Sequence, residues 1–302
     1  MFSIEHIVSA KDNETHFHIY NSKLSAKIYP NLGASIQELI INNTPILNNC
    51  SGNDTIYLQG YYNALLFPFA GRVDSGRYEH QKKKFQLDLN DTQYHNALHG
   101  LVYDKSFKCI SKEVTSTHAA IAFEYISSGN SHGFPFKFSL QPHYHFSEEG
   151  MQLHMKIENL DDISFPFQLG WHPYFISKNI NQNTIEIHSN KAYTTNKRLI
   201  PDEPENFNPE SIQPIGAQHL DTSYQLAAPF VHYKSHDYEL TLELKHQDHH
   251  FLQLYTPEDR KSISIEPMTA LPNAFNNGQG LQILQPNNSH QCQWHLNIKT
   301  YD

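Results

Sequence analysis

Apolar and polar residues alternate along many short stretches of this chain, and this period-two pattern restricts the fold more than any other feature. The clearest examples are Leu24, Ala26 and Ile28; Phe136, Phe138 and Leu140; Met151, Leu153, Met155 and Ile157; Leu240, Leu242 and Leu244; and Cys292, Trp294, Leu296 and Ile298. Such alternation is typical of β-strands that turn one face towards a core.

Clusters of turn-forming residues separate these stretches, and no long amphipathic helical pattern lies between them. They include Asn42-Asn43, Ser51-Gly52-Asn53-Asp54, Ser127-Ser128-Gly129-Asn130 and Asn276-Asn277-Gly278. Because parallel strands need long crossover connections, short strands joined by turns indicate antiparallel pairing. The sequence therefore predicts an all-β chain folded as a large antiparallel β-sandwich.

Residues 196–220 form the most irregular segment, with four prolines and no alternation. Such a segment could be a linker between domains, but we interpret it as a long loop over a binding face. The chain shows no internal repeat and no low-complexity tract. A sandwich of this length can be one unit, so we expect a single domain over residues 1–302.

The charge balance restricts the partners of the chain. There are 22 Lys and Arg residues against 31 Asp and Glu residues, which gives a formal charge of -9. This charge repels phosphate backbones and anionic membranes, so neither nucleic acid nor membrane is expected as a partner. Only four residues are arginine, the side chain best suited to clamping phosphate, and this scarcity favours a neutral ligand.

Cysteine usage and the N-terminal residues bear on location. Cys50, Cys109 and Cys292 are widely spaced and form no CxxC pair, so neither a disulfide framework nor a zinc ribbon is indicated. The first twenty residues lack the basic and apolar regions of a signal peptide, and no stretch approaches a membrane span. We expect a cytoplasmic protein.

Two ionisable residues stand out early in the chain because Gly and apolar residues surround them. Arg72 follows the run Phe-Pro-Phe-Ala-Gly, where its guanidinium could donate paired hydrogen bonds to neighbouring hydroxyls of a ligand. A surface arginine that bridges strands is the alternative. His99 precedes Gly100, which permits close backbone approach to a ligand, although the motif taken alone favours a structural histidine.

Two later segments are more specific. His172 lies in Trp171-His172-Pro173-Tyr174-Phe175, where aromatic faces suit the C–H surfaces of a sugar, and Trp171 is therefore a candidate binding residue. The alternation of Ser-Ile-Ser-Ile predicts a strand that ends at Glu266, just before Pro267. Partial burial there would raise the pKa of the Glu266 carboxyl towards the range of a general base.

Asp221 follows the irregular segment and could accept hydrogen bonds from two hydroxyls, or could instead cap a strand through an Asx-turn. The 21 histidines also raise the question of a metal, since His143 and His145 project from the same face of one strand. No carboxylate at a matching spacing follows them, so we expect neither a metal nor another cofactor.

Taken in order, these segments resemble the aldose 1-epimerase (galactose mutarotase-like) family. The resemblance runs from Asn31-Leu32-Gly33-Ala34 to Leu281-Gln282-Ile283-Leu284-Gln285-Pro286 and so covers nearly the whole chain. That family has an Arg after an aromatic run, a His in a Leu-His-Gly turn, a His before Pro-Tyr-Phe, an Asp after a long loop and a Glu before Pro. The matching residues here are Arg72, His99, His172, Asp221 and Glu266. Gly71 replaces the Asn that usually precedes the Arg.

The resemblance implies a β-supersandwich that needs no cofactor and acts on a monosaccharide as a monomer or homodimer. It further implies that Glu266 removes the proton of the anomeric hydroxyl while His172 protonates the ring oxygen. Arg72, His99, Asp221 and Trp171 would bind the sugar. Two alternatives stay open at this point, a hexose-6-phosphate 1-epimerase and a carbohydrate-binding module without catalytic activity.

Overall fold

A computed structural model describes residues 1–8, 15–48, 54–206, 213–245 and 250–301 of the chain. The predicted turn at Ser51-Gly52-Asn53 lies outside these residues, and Asp54 is the first residue of a helix. The two helices are α1 (Asp54–Gly60) and α2 (Ala274–Asn277). None of the helices in the described ranges is both long and apolar enough to cross a membrane.

Strands make up most of the described residues. In the first half of the chain they are β1 (Ser3–Val8), β2 (Thr15–Tyr20), β3 (Leu24–Tyr29), β4 (Ser35–Ile41), β5 (Thr44–Pro45), β6 (Leu65–Leu66), β7 (Arg72–Val73), β8 (Arg77–His80), β9 (Lys83–Gln86), β10 (Ala97–Leu98), β11 (Lys108–Val114), β12 (Ala119–Ser128), β13 (Lys137–Ser147) and β14 (Gly150–Asn159). In the second half they are β15 (Phe165–Phe167), β16 (Gly170–Trp171), β17 (Tyr174–Ile176), β18 (Thr184–Thr195), β19 (Pro201–Asn206), β20 (Gln213–Pro214), β21 (Asp221–Lys234), β22 (Tyr238–Leu244), β23 (Phe251–Tyr255), β24 (Ser262–Met268), β25 (Gln282–Leu284) and β26 (Ser289–Thr300).

The strands form one large antiparallel sheet and several smaller ones. The order along the large sheet is β11-β12-β13-β14-β26-β22-β21-β23-β24-β16-β6, while β17 pairs with β24, and β18 pairs with β19, β20 and β21. A second sheet has the order β1-β2-β3-β4-β5. The predicted all-β antiparallel β-sandwich is confirmed.

The alternating stretches fall on β3, β13, β14, β22 and β26, with Phe136 one residue before β13. Their apolar residues are buried, and they pack in one extended hydrophobic cluster of mostly aliphatic and Phe side chains. Three of the predicted turn clusters are also found as turns or caps. Asn42 and Asn43 adopt positive φ between β4 and β5, Gly129 follows β12, and Gly278 ends α2.

The irregular segment is only partly a loop, which corrects the sequence prediction for residues 196–220. Residues 201–206 form β19 and pair with β18, and a further short strand, β20, precedes β21. Five of the six residues of β19 are exposed, so the strand buries no apolar face that could produce alternation. Its prolines are tolerated because an edge strand need not donate every ladder hydrogen bond. The single-domain organisation stays a prediction.

Candidate functional site

Glu266 lies in β24, an inner strand of the large sheet in which all seven residues are buried. The strand continues through Pro267 to Met268, so the prediction that it ends at Glu266 is wrong. Ile265 donates its backbone N–H to Pro173 O, on the side of β24 that faces β17. Pro267, two residues further, turns its ring nitrogen to that same side. Neither short strand pairs with β24 at Pro267, because β17 pairs only with residues 262–264 and β16 only with Met268. The missing N–H of Pro267 therefore costs no hydrogen bond between strands.

The gap between β16 and β17 positions His172. This residue lies between β16 and β17, the two short strands that flank β24, and its backbone is fixed by hydrogen bonds to Ala64 O and from Asn63 N, each 3.0 Å. His172 Nε2 lies 3.3 Å from Glu266 Oε1. The His172 and Glu266 residues are only 4% and 2% exposed, which excludes bulk water from the contact.

His99 completes a buried group of three. It follows β10, has φ of +61°, and donates its backbone N–H to Gly71 O at 2.9 Å. Its ring packs edge-on against that of His172, with centroids 4.6 Å apart. Nδ1 of His99 and Nδ1 of His172 are both buried without a hydrogen-bond partner among the described residues. Buried polar atoms in this condition are costly unless a ligand satisfies them.

Arg72 begins β7 and is held in place by a carboxylate that the sequence analysis missed. Its Nε donates to Asp91 Oδ2 at 2.8 Å, and both side chains are largely buried. The guanidinium carbon also lies 5.7 Å from the centroid of the Tyr94 ring. Because Asp91 holds Nε, the remaining N–H groups of the Arg72 guanidinium are fixed in orientation and can donate to a ligand.

Asp221 opens β21 and faces Gln253 on the neighbouring strand β23. Gln253 donates from Nε2 to Asp221 Oδ1 at 2.7 Å and accepts a hydrogen bond from the Ser223 hydroxyl. Gln253 is directly opposite Glu266 in the register of β23 and β24. The pairing of β21, β23 and β24 thus brings Asp221 to Glu266, two residues that lie 45 positions apart in the sequence. Nothing in the local sequence around Gln253 indicated this position.

These side chains border one narrow cavity with about 50 Å³ of free space. Four of the predicted residues line it: Arg72, His99, Asp221 and Glu266. The other lining residues are Gly71, Thr195, Leu199, Pro201, Ser223, Gln253, Tyr255, Met268 and Pro272. His172 does not line the cavity itself but contacts two residues that do, His99 and Glu266.

A larger hollow of about 670 Å³ lies elsewhere, over β21, β22 and β26. It is open and is bordered by exposed strand residues such as Lys234 and Lys299. Among its residues no buried carboxyl or histidine has a shifted pKa. The narrow cavity has both a buried acid and a buried base, and we therefore assign the candidate site to it.

Burial governs the protonation of the site. Desolvation, assisted by the nearby Asp221 carboxylate, raises the pKa of Glu266 well above its ordinary value. Desolvation lowers the pKa of His172 to about 3, and desolvation together with His172 and Arg72 lowers the pKa of His99 well below its usual range. Burial also raises the pKa of Asp221. In the empty site the shared proton therefore lies on Glu266, and both histidines are neutral acceptors.

Two glycines shape the turns around the site. Gly71 has φ of +65°, and a Cβ there would lie 2.8 Å from the ring of Pro272, which also lines the cavity. The replacement of the family's usual Asn by Gly71 thus makes room for Pro272. Gly100 has φ of +80°, and its close approach is to the backbone of Phe67. The expectation that Gly100 gives a ligand access to the backbone stays a prediction.

Trp171 is placed differently from the other predicted site residues. Its side chain is buried in the hydrophobic cluster, 1% exposed, and it does not line the cavity. The strand period explains this, because Trp171 lies in β16 beside His172 and neighbouring strand residues point to opposite faces. Tyr255, at the end of β23, is the tyrosine that lines the cavity instead.

The geometry also bears on metal binding. Donor atoms of His99, His172 and Glu266 lie within 4.8 Å of one another, and two neutral imidazoles with a carboxylate form a donor set that suits a divalent transition metal. It is the one such group in the part of the chain that the structure describes. His143 and His145 lie on the outer face of β13, beside a separate hollow that His154 and His295 also border. That no metal takes part in the function stays a prediction.

Comparisons with known proteins agree with this fold. The pattern that describes the family "Aldose 1-epimerase" matches residues 15–297. The uncharacterised protein YihR of Escherichia coli K12 is 24% identical over 246 residues, which cover 75% of this chain and 76% of YihR. A galactose mutarotase-like protein from Clostridium acetobutylicum superposes with a TM-score of 0.88 at 18% identity, covering 100% of this chain and 99% of its own. The galactose 1-epimerase of Lactobacillus acidophilus gives a TM-score of 0.81 at 18% identity, with the same coverage.

Proposed function

Because this chain belongs to the aldose 1-epimerase family, we propose that it interconverts the α and β anomers of a neutral aldose by acid–base opening and reclosure of the sugar ring. The observation that carries the proposal is the buried contact of 3.3 Å between His172 Nε2 and Glu266 Oε1, beside the cavity. A site that only binds sugar has no need for such an acid–base pair. This argues against a binding module without activity.

Ring opening needs two proton transfers in one geometry. Glu266 removes the proton of the anomeric hydroxyl while His172 supplies a proton to the ring oxygen, and the bond between C1 and the ring oxygen breaks. C1 becomes the aldehyde carbon of the open chain. Rotation about C1–C2 then presents the other face of the carbonyl. Reclosure with the two roles reversed gives the other anomer and restores both groups.

The pair carries one proton throughout this cycle. In the empty site that proton is on Glu266, because burial disfavours both the carboxylate and the imidazolium. This is the protonation state that the cycle reaches after ring opening. A cyclic sugar is opened from the ionised pair, and transfer of the proton from Glu266 to His172 across their contact generates it. The positive charge of Arg72 favours this ionisation by lowering the pKa of Glu266.

The remaining polar groups suit a polyhydroxylated ligand. Asp221 and Gln253 offer a carboxylate and an amide already joined by a hydrogen bond. Arg72 and the unpaired Nδ1 of His99 offer donors and an acceptor at another part of the lining. We assign Arg72, His99 and Asp221 to sugar binding, and Tyr255 takes over the role of the aromatic surface first expected of Trp171.

The lining favours a neutral sugar over its 6-phosphate. Arg72 is the single basic residue other than His99 among the described lining residues, and its Nε is already bonded to Asp91. Three other lysines lie away from this lining. Lys83 and Lys84 belong to the hairpin of β8 and β9, and Lys105 pairs with Asp104 beside another hollow. A phosphate dianion would therefore enter the cavity without enough donors to replace its hydration.

Anomer-exchange NMR on a panel of aldoses and their 6-phosphates tests the proposal. We expect free glucose or galactose to have a kcat/KM at least tenfold above that of its 6-phosphate at low ionic strength. The Glu266→Gln variant should fold and keep less than a tenth of the wild-type kcat, a loss of at least about 1.4 kcal/mol of transition-state stabilisation. The exposed Glu79→Gln substitution on β8 is the matched control.

Each of these measurements can contradict the proposal separately. A tenfold preference for the 6-phosphate would support the hexose-6-phosphate 1-epimerase alternative. Sugar binding without anomer exchange in the wild-type protein would support the binding module. If Glu266→Gln retained more than a tenth of kcat, the general base would have to be another residue.

A further inference from the structure

The turn between β18 and β19 closes one side of the candidate cavity. Thr195 is the last residue of β18 and Pro201 the first of β19, and both line the cavity. Leu199, inside the turn, lines it as well. Sequence analysis had placed a long loop over a binding face here, and what lies at the cavity is a tight hairpin turn. We refer to residues 196–200 as the cap turn.

Side-chain contacts hold the cap turn against the neighbouring segment. The Arg198 guanidinium lies 2.6 Å from Asp74 Oδ1 and donates from NH2 to His95 O and to Asn96 Oδ1, both at 2.9 Å. Asn96 in return donates from Nδ2 to the backbone carbonyl of Arg198 at 2.8 Å. These contacts fix the backbone on the N-terminal side of Leu199.

The turn is also closed on itself. Asn196 accepts a hydrogen bond at Oδ1 from the backbone N–H of Arg198 at 2.8 Å, and its own N–H donates to Ile200 O at 3.0 Å. Inside this frame Leu199 has φ of +55°, a left-handed conformation that a leucine rarely adopts. A strained backbone persists only where its surroundings over-determine it, and such residues concentrate at functional sites.

The size of the cavity makes the leucine side chain matter. About 50 Å³ of free space holds roughly three to five water molecules at about 10–15 Å³ each. The reacting groups, Glu266 and His172, are at the buried end, whereas Leu199 is partly exposed and therefore belongs to the rim. An apolar side chain at the rim excludes volume and offers no hydrogen bond to a sugar.

We propose that Leu199, held by the Arg198 anchor, restricts the substrate to an unsubstituted monosaccharide. With C1 of the sugar at Glu266, the hydroxyls furthest from C1 face the rim, and a second sugar attached to one of them would have to pass through the space that Leu199 fills. The inference rests on the proposed function and goes beyond it by naming the residue that limits substrate length.

Polarimetric and NMR anomer-exchange rates test this with Leu199→Gly, which removes the side chain and relieves the positive φ. The substrates are whichever aldose the wild type uses best, and two disaccharides with that aldose at the reducing end, linked through O4 and O6. We expect the wild type to favour the monosaccharide at least tenfold in kcat/KM. Leu199→Gly should reduce that preference at least tenfold for one of the disaccharides.

Leu199→Ala serves as a second variant that keeps a Cβ, and Lys197→Ala, an exposed residue of the same turn, is the control that should leave the preference unchanged. An unchanged preference in folded Leu199 variants would overturn the inference, as would a wild type that uses the disaccharides as well as the monosaccharide. A wild type that exchanges no aldose would instead refute the proposed function, and with it this inference.

Discussion

At the scale of single residues, the site is defined by two groups whose pKa values burial moves in opposite directions. The pKa of Glu266 lies well above its ordinary value of 4.5, and that of His172 falls from 6.5 to about 3. With the ordinary pKa values of the two groups, a proton would favour His172 over Glu266. Enclosure in β24 and between β16 and β17 reverses this preference and places the proton on Glu266.

These pKa shifts make the free energy of unfolding depend on pH, and the direction of each shift gives the direction of its effect. The raised folded pKa of Glu266 stabilises the fold below pH 4.5, and this contribution is lost as the pH rises towards the folded value, by about 1.4 kcal/mol per pH unit. The lowered pKa of His172 acts oppositely between pH 3 and 6.5. In the wild type the two contributions therefore oppose each other between pH 4.5 and 6.5.

We therefore expect Glu266→Gln to raise the free energy of unfolding relative to wild type, with a difference that grows as the pH rises above 4.5 towards the folded pKa of Glu266. The amide cannot ionise, so the folded protein no longer has to suppress a buried charge. Urea unfolding at pH 5, 6 and 7 measures the difference, and Glu79→Gln on the exposed face of β8 should show no such trend. A stability difference that stays constant over this range would mean that Glu266 is ionised in the fold.

At the scale of elements, backbone turns bring the site residues together. His99 depends on Gly100, which lies against the backbone of Phe67 in the segment between β6 and β7. A Cβ at Gly100 would be 2.2 Å from Phe67 O. The turn that presents His99 and the turn that leads to Arg72 are thus packed together at a distance that only glycine allows.

Gly100→Ala should accordingly destabilise the protein by about 2–5 kcal/mol, the sum of a left-handed alanine and an overpacked contact with backbone. Gly278→Ala is the matched control, since its φ of +71° is similar but no atom lies within 4 Å of the added Cβ. That control should lose only about 1–2 kcal/mol. Chemical denaturation of both variants compares them, and equal losses would show that the contact with Phe67 relaxes freely.

The elements also show what the sequence could predict. Strands with one buried face, such as β14 and β22, were identified because burial imposes alternation on them. β19 was missed because its exposed edge imposes none. Arg72, His99, His172 and Glu266 were found through their unusual neighbours in the sequence. Asp91 and Gln253 were not, because each contributes through a partner distant in the chain. Asp91 acts through its ion pair with Arg72, and the register of β23 and β24 brings Gln253 opposite Glu266.

At the scale of the whole molecule, histidines outside the site form a second electrostatic feature. Six of those among the described residues have lowered pKa values, with desolvation as the largest cause: His16, His18, His143, His145, His154 and His295. Four of these border one shallow hollow on the outer face of β13, β14 and β26. His143 is directly opposite His154 in the register, with ring centroids 5.5 Å apart.

This arrangement predicts that the protein loses stability in mild acid. A histidine whose folded pKa lies below 6.5 binds its proton more readily in the unfolded chain, so stability falls as the pH drops below 6.5. Each fully shifted histidine contributes up to about 1.4 kcal/mol per pH unit, and the partly buried ones contribute less because water screens them. The midpoint of urea unfolding should therefore fall steadily between pH 6.5 and 5.

The double substitution His143→Gln and His154→Gln should flatten that slope, whereas the same change at His132 and His236, which are 65% and 74% exposed, should leave it as in wild type. A midpoint independent of pH over this range, or an equal effect of the two double variants, would show that the histidine-bordered hollow does not govern acid stability.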